Sequence, residues 1–118
     1  MLTPTEKQLR DIVHATANEL EILCRGGHTD NYDDVYDWLN DQLGIEEYTF
    51  SHDGSFLDAK ISVCLGGPNV FVYPGACRVD GCWANDSYSI KYNLDIYDED
   101  ELFNIVAENA RYAVSQEW

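Results

Sequence analysis

Positive charge is what this chain has least of. Seven Lys and Arg face 22 Asp and Glu, giving a formal net charge of -15 and a sequence pI near 4.1. Between Arg25 and Lys60 there is no Lys or Arg at all. That scarcity argues against direct binding to DNA, RNA or an anionic membrane, each of which is gripped by cationic side chains. A net charge of magnitude ~2–8 already keeps a small domain soluble, and charge beyond that costs stability through self-repulsion. The excess points to a cationic partner.

Other absences narrow the reading further. No apolar run approaches the ~20 residues that span a bilayer. The opening residues, Met1-Leu2-Thr3-Pro4-Thr5-Glu6-Lys7, show neither the basic stretch nor the apolar core of a secretory signal, so the expected compartment is the cytosol. Cys24, Cys64, Cys77 and Cys82 are then expected as reduced thiols. Cys77 and Cys82 are too far apart for a zinc knuckle, and His14, His28 and His52 fall at no ligand interval from a cysteine. No metal or other cofactor is expected. A Cys–His nucleophile needs electropositive surroundings, which this composition does not supply. Gly66-Gly67-Pro68-Asn69 lacks the Lys-Ser/Thr of a phosphate-binding loop and precedes no helix, so it reads as a tight link between strands. Catalysis is not expected.

What is present is a core. Hydrophobic residues make up 45% and aromatics 13% of 118 residues, which suits one domain over 1–118 and excludes a disordered acidic tail. Thr3 as cap, Pro4 at the first helical position and Glu6 open a helix. Its buried stripe is Leu9, Ile12, Val13, Thr16, Leu20 and Leu23, and Gly26-Gly27 closes it. A second helix is predicted over 31–43, capped by Asp30 and stopped by Gly44, with Tyr32, Val35, Leu39 and Leu43 inward and Tyr36 and Trp38 flanking. From 45 to 94 the period becomes two. Strands are expected around Tyr48 and Phe50, over 57–65 with Leu57, Ala59, Ile61, Val63 and Leu65 on one face, over 70–73, over 77–83, and through Tyr88, Ile90, Tyr92 and Leu94. A last helix is predicted from Asp98, boxed by Glu101, with Leu102, Ile105, Val106, Ala110 and Ala113 inward. Short turns imply antiparallel pairing. The predicted fold is α+β: an antiparallel meander of four or five strands with helices on one face.

The candidate site is an acidic surface. Asp33, Asp37 and Asp41 are spaced by four, which on one helix places a carboxylate every ~6 Å along a face. Asp30, Asp34, Glu46 and Glu47 surround them, and Asp98, Glu99, Asp100 and Glu101 extend the row if the two helices lie side by side. Such a row imitates the regular anionic array of a nucleic-acid strand. The competing reading is a solvated face with no partner. A separate expectation concerns the uncovered sheet face, where Cys64, Phe71, Tyr73 and Cys82 form an apolar set that fits pairing with a second copy.

Gly66-Gly67-Pro68-Asn69-Val70, the apolar strand before it, and Val79, Gly81 and Trp83 with Asp86 beyond resemble a group of small proteins of phages and mobile elements. These share a GGPN-aliphatic turn, a strand ending in G-x-W and a C-terminal helix. The resemblance covers about 56–106 and implies a setting rather than an activity. Small acidic cytosolic proteins in that setting are similar in profile to anti-CRISPR and anti-restriction inhibitors that imitate nucleic acid. The expectation is an inhibitor of a basic, nucleic-acid-binding host protein, either a CRISPR effector or a restriction enzyme. The alternative is an accessory domain that self-associates through its sheet.

Overall fold

The first helix, α1 (Pro4–Cys24), stops where glycine lets the chain turn left-handed. Gly26 sits at φ +86, its N–H donates to the Leu23 carbonyl at 3.0 Å, and the Gly27 N–H donates to the Ile22 carbonyl at 3.0 Å. This pair of hydrogen bonds satisfies carbonyls that the helix end would otherwise leave open. The structure, a computed structural model, describes residues 4–94 and 100–116.

After α1 come α2 (Val35–Asp41), β1 (Gly44–Phe50), β2 (Phe56–Cys64), β3 (Asn69–Tyr73), β4 (Arg78–Trp83), β5 (Asp86–Lys91) and α3 (Glu101–Gln116). The strands form one antiparallel sheet in the order β1-β2-β3-β4-β5. This is the expected α+β meander. All three helices pack on one face: α1 crosses β4 and β5, α3 covers β2, and α2 bridges α1 and α3. The core between the layers holds Leu9, Val13, Leu20 and Leu23 of α1, and Val35 and Trp38 of α2. Ile61, Val70, Val72 and Val79 meet them from the sheet, and Leu102 and Val106 from α3.

Three details depart from the periodicity. The second helix is far shorter than 31–43. Thr29 Oγ1 accepts from the N–H groups of Asn31 and Tyr32 at 3.3 and 3.1 Å, holding the preceding residues in a turn. The helix then begins after Asp34, not Asp30, with Val35 and Trp38 buried and Leu43 62% exposed beyond its end. In β2 a register shift between Phe56 and Asp58 leaves Leu57 exposed, Leu65 falls past the strand's end and is exposed too, and Ser62, paired with Gly44 and Phe71, is buried. The last helix starts at Glu101 rather than Asp98. Asp100 is its cap, accepting from the Phe103 N–H at 3.0 Å; the expected start at Asp98 lies outside the described residues.

The glycine motifs have a packing explanation. The Gly66 N–H donates to Asn69 Oδ1 at 2.9 Å, tying the turn to its own side chain. Gly67, at φ +123, lies under the Trp83 ring, whose Nε1 would stand 3.2 Å from an added Cβ. Gly81 lies under α1. In this chain the GGPN and G-x-W residues fix a turn and a helix–sheet contact.

Candidate acidic docking surface

Helix α2 and the turn before it carry Asp30, Asp33, Asp34, Asp37 and Asp41. Asp34 caps it, its Oδ1 accepting from the Asp37 N–H at 2.9 Å, and Asp37 Oδ2 returns to accept from the Asp33 N–H at 3.1 Å. One turn later Asp41 Oδ2 accepts from the Tyr32 hydroxyl at 2.6 Å, a bond that pushes the phenol up to about 12. These contacts engage single oxygens and leave the negative charges in solvent: Asp30, Asp33, Asp34, Asp37 and Asp41 are all exposed. Among the described residues no Lys or Arg forms an ion pair with Asp33, Asp34, Asp37 or Asp41.

Not every carboxylate joins this surface. Asp33 precedes the cap, so the spacing of four does not run along a single helix; only Asp37 and Asp41 share a helical face. Glu46 and Glu47 lie on β1, where Glu47 stands opposite Lys60 and Glu46 Oε2 is 3.7 Å from the Lys60 ammonium. They belong to the open side of the sheet. Asp58, in the same acidic run, serves the fold by accepting from the Gly75 and Ala59 N–H groups at 2.7 and 2.8 Å. Asp98 and Glu99 fall outside the described residues.

Asp100 turns inward. Beside it lie Cys77 Sγ, 3.7 Å from Oδ2, and the buried Cys24. Burial raises the Asp100 carboxyl above its ordinary value. Burial, reinforced by that carboxylate, pushes the Cys24 thiol up to about 12 and raises Cys77 as well. Tyr92, whose buried hydroxyl lies beside the Cys77 thiol, closes the same junction, and burial pushes its phenol up. These thiols are held protonated, the opposite of what a nucleophile or metal ligand needs. Among the described residues no three of His, Cys, Asp and Glu come together as metal ligands.

Helices α2 and α3 touch, and what their contact creates is not legible in the sequence. Tyr36 of α2, 57% exposed, stands against Glu101, Asn104, Ile105 and Glu108 of α3 around a groove of about 260 Å³. Glu101, Asn104 and Glu108 recur at helical spacing on one face, a pattern present in the sequence; Tyr36 had been placed only as a flank of the apolar stripe. The groove sets the exposed Tyr36 ring of α2 beside the Glu101 and Glu108 carboxylates of α3.

No described helix is long and apolar enough to cross a membrane. No protein-family model, curated protein or solved structure matches the chain.

Proposed function

We propose that this protein is a non-catalytic inhibitor that docks its α2 surface in the basic nucleic-acid groove of a host defence nuclease, either a CRISPR effector or a restriction enzyme. The observation that carries this reading is the set of exposed carboxylates at Asp30, Asp33, Asp34, Asp37 and Asp41, with which no Lys or Arg among the described residues forms an ion pair. A surface of one sign, kept against its own repulsion, fits a partner of the opposite sign. Such fields steer association and make it salt-sensitive. Tyr36 at the head of the α2–α3 groove supplies an anchor of the type that dominates binding hot spots, with Glu101 and Glu108 beside it to meet an arginine or lysine.

The mechanism is competition for the groove, with no bond made or broken. Immobilised protein should capture such a nuclease from host lysate in low salt and release it as salt rises. Prior loading of the nuclease with nucleic acid should block capture. If the captured proteins include no nucleic-acid enzyme, or if loading makes no difference, this function is wrong.

A further inference from the structure

The open face of the sheet differs in charge from the rest of the molecule. Glu47 stands opposite Lys60 on β1 and β2, and Tyr73, Arg78 and Lys91 stand opposite one another across β3, β4 and β5. Beside them Phe71 lies between Ser62 and Asp80. The Lys60 ammonium sits 4.2 Å from the centroid of the Phe71 ring, and the Arg78 guanidinium 4.5 Å from that of Tyr73. Arg78 Nε is 2.9 Å from Asp80 Oδ1; neither atom has a well-aligned hydrogen bond, so charge alone holds the pair. A chain with only seven Lys and Arg has placed Lys60, Arg78 and Lys91 together on this one face. Arg78 and Lys91 are even directly opposed across two strands, which is unfavourable for like charges.

We propose that this face docks a second copy of the chain about a two-fold axis running along β3. With a net charge of -15, two copies repel wherever their carboxylates meet; here cations and carboxylates nearly balance, so repulsion is least. The strand order supplies the complementarity. Rotation about an axis along the middle strand, lying between two facing sheets, sets β1 over the other copy's β5 and keeps the rows level. Glu47 then meets the partner's Lys91, and Lys91 meets the partner's Glu47. Phe71 and Tyr73, on the central strand, meet their own copies. They border a hollow of about 240 Å³ that receives the opposing rings. Lys60 approaches the partner's Arg78, but both cations already rest on a ring and beside a carboxylate of their own chain.

The size of the face sets the strength. Five strands at ~4.8 Å and about six residues at ~3.3 Å give a projected area on the order of 480 Å². A standard interface removes about 800 Å² of accessible surface per partner, so the dimer belongs to the weak, concentration-dependent class. In this dimer both α2 surfaces point outward, so it goes beyond the proposed inhibition without competing with it.

Sedimentation velocity from micromolar to millimolar protein tests it. The dimer fraction should rise with concentration and also with salt, because salt screens the repulsion between two acidic chains. Glu47→Lys and Lys91→Glu should each weaken the dimer by about tenfold, because each substitution creates two like-charge contacts across the axis. The double variant Glu47→Lys with Lys91→Glu should restore it. Both positions are exposed strand sites, and circular dichroism checks that the fold survives. A monomer at every concentration and salt overturns the proposal, as do single variants that dimerise like the wild type. Failure of the double variant to restore the dimer overturns the two-fold placement.

Discussion

Gly81 is where α1 comes closest to the sheet, and Gly81→Ala measures how tightly that contact is closed. An added Cβ would lie 2.6 Å from Val13 Cγ2 and 2.8 Å from Leu9 Cδ1. Carbon atoms prefer ~3.5–4.0 Å, so these methyls must retreat by about 1 Å. Val13 and Leu9 are 0% and 1% exposed and have nowhere open to go. Overpacking of this kind costs ~1–3 kcal/mol. Replacing a strand glycine returns ~0.5–1 kcal/mol of backbone entropy, leaving a net loss on the order of 1 kcal/mol. Val13→Ala alone loses buried methyl groups and leaves a cavity, at roughly 1–3 kcal/mol. In the double variant the new methyl at 81 occupies space that Val13 vacates. The pair should therefore lose at least ~1 kcal/mol less than the sum of the single losses. Urea unfolding followed by the fluorescence of buried Trp38 gives all four stabilities. If Gly81→Ala is as stable as wild type, or the two substitutions simply add, α1 does not rest on β4 as described.

Two other changes follow from the helix ends. Asp34→Ala removes the α2 cap and should cost about 1 kcal/mol, while Asp34→Asn keeps an acceptor and should cost a few tenths; thermal unfolding distinguishes them. Asp100→Asn keeps an acceptor at the start of α3 but removes a carboxylate that burial disfavours. Because the folded state raises this carboxyl's pKa, it binds the proton more tightly than the unfolded chain does. Its contribution to stability therefore falls as pH rises from the ordinary carboxyl value through the raised one. The variant should gain on wild type across that window and lose its advantage in more acid solution, as urea unfolding at a series of pH values would show.

The meander was legible because alternation and turn residues agree along most of 45–94. Helix ends were legible where glycine or a capping side chain marks them, as at Gly26. The length of α2 was not. Apolar residues at Tyr32, Val35, Leu39 and Leu43 have helical spacing, but the Thr29 turn and the Asp34 cap exclude Tyr32 from the helix, and Leu43 falls past its end. A local hydrogen bond from a short polar side chain outweighs periodicity over so short a segment. The acidic region was legible as composition, but its division was not. Glu46 and Glu47 went to the sheet because pairing register is decided by contacts far along the chain, and Asp100 is drawn inward beside Cys77, which is just as distant in sequence. Tyr36 and Glu108 were missed for a related reason: their groove exists only where α2 meets α3.

The central claim is that the α2 carboxylates occupy a nucleic-acid groove, and a competition titration tests it most directly. The chain would be titrated against purified, nucleic-acid-free CRISPR effectors and restriction enzymes at several salt concentrations. A variant with Asp33, Asp37 and Asp41 all changed to Asn would run alongside, since asparagine keeps an acceptor for the local hydrogen bonds while removing three charges. The account predicts binding that weakens with salt, is displaced by the enzyme's own nucleic acid, and falls by about tenfold or more in the triple variant. No binding to any of these enzymes, or binding indifferent to salt, to nucleic acid and to those three residues, would contradict it.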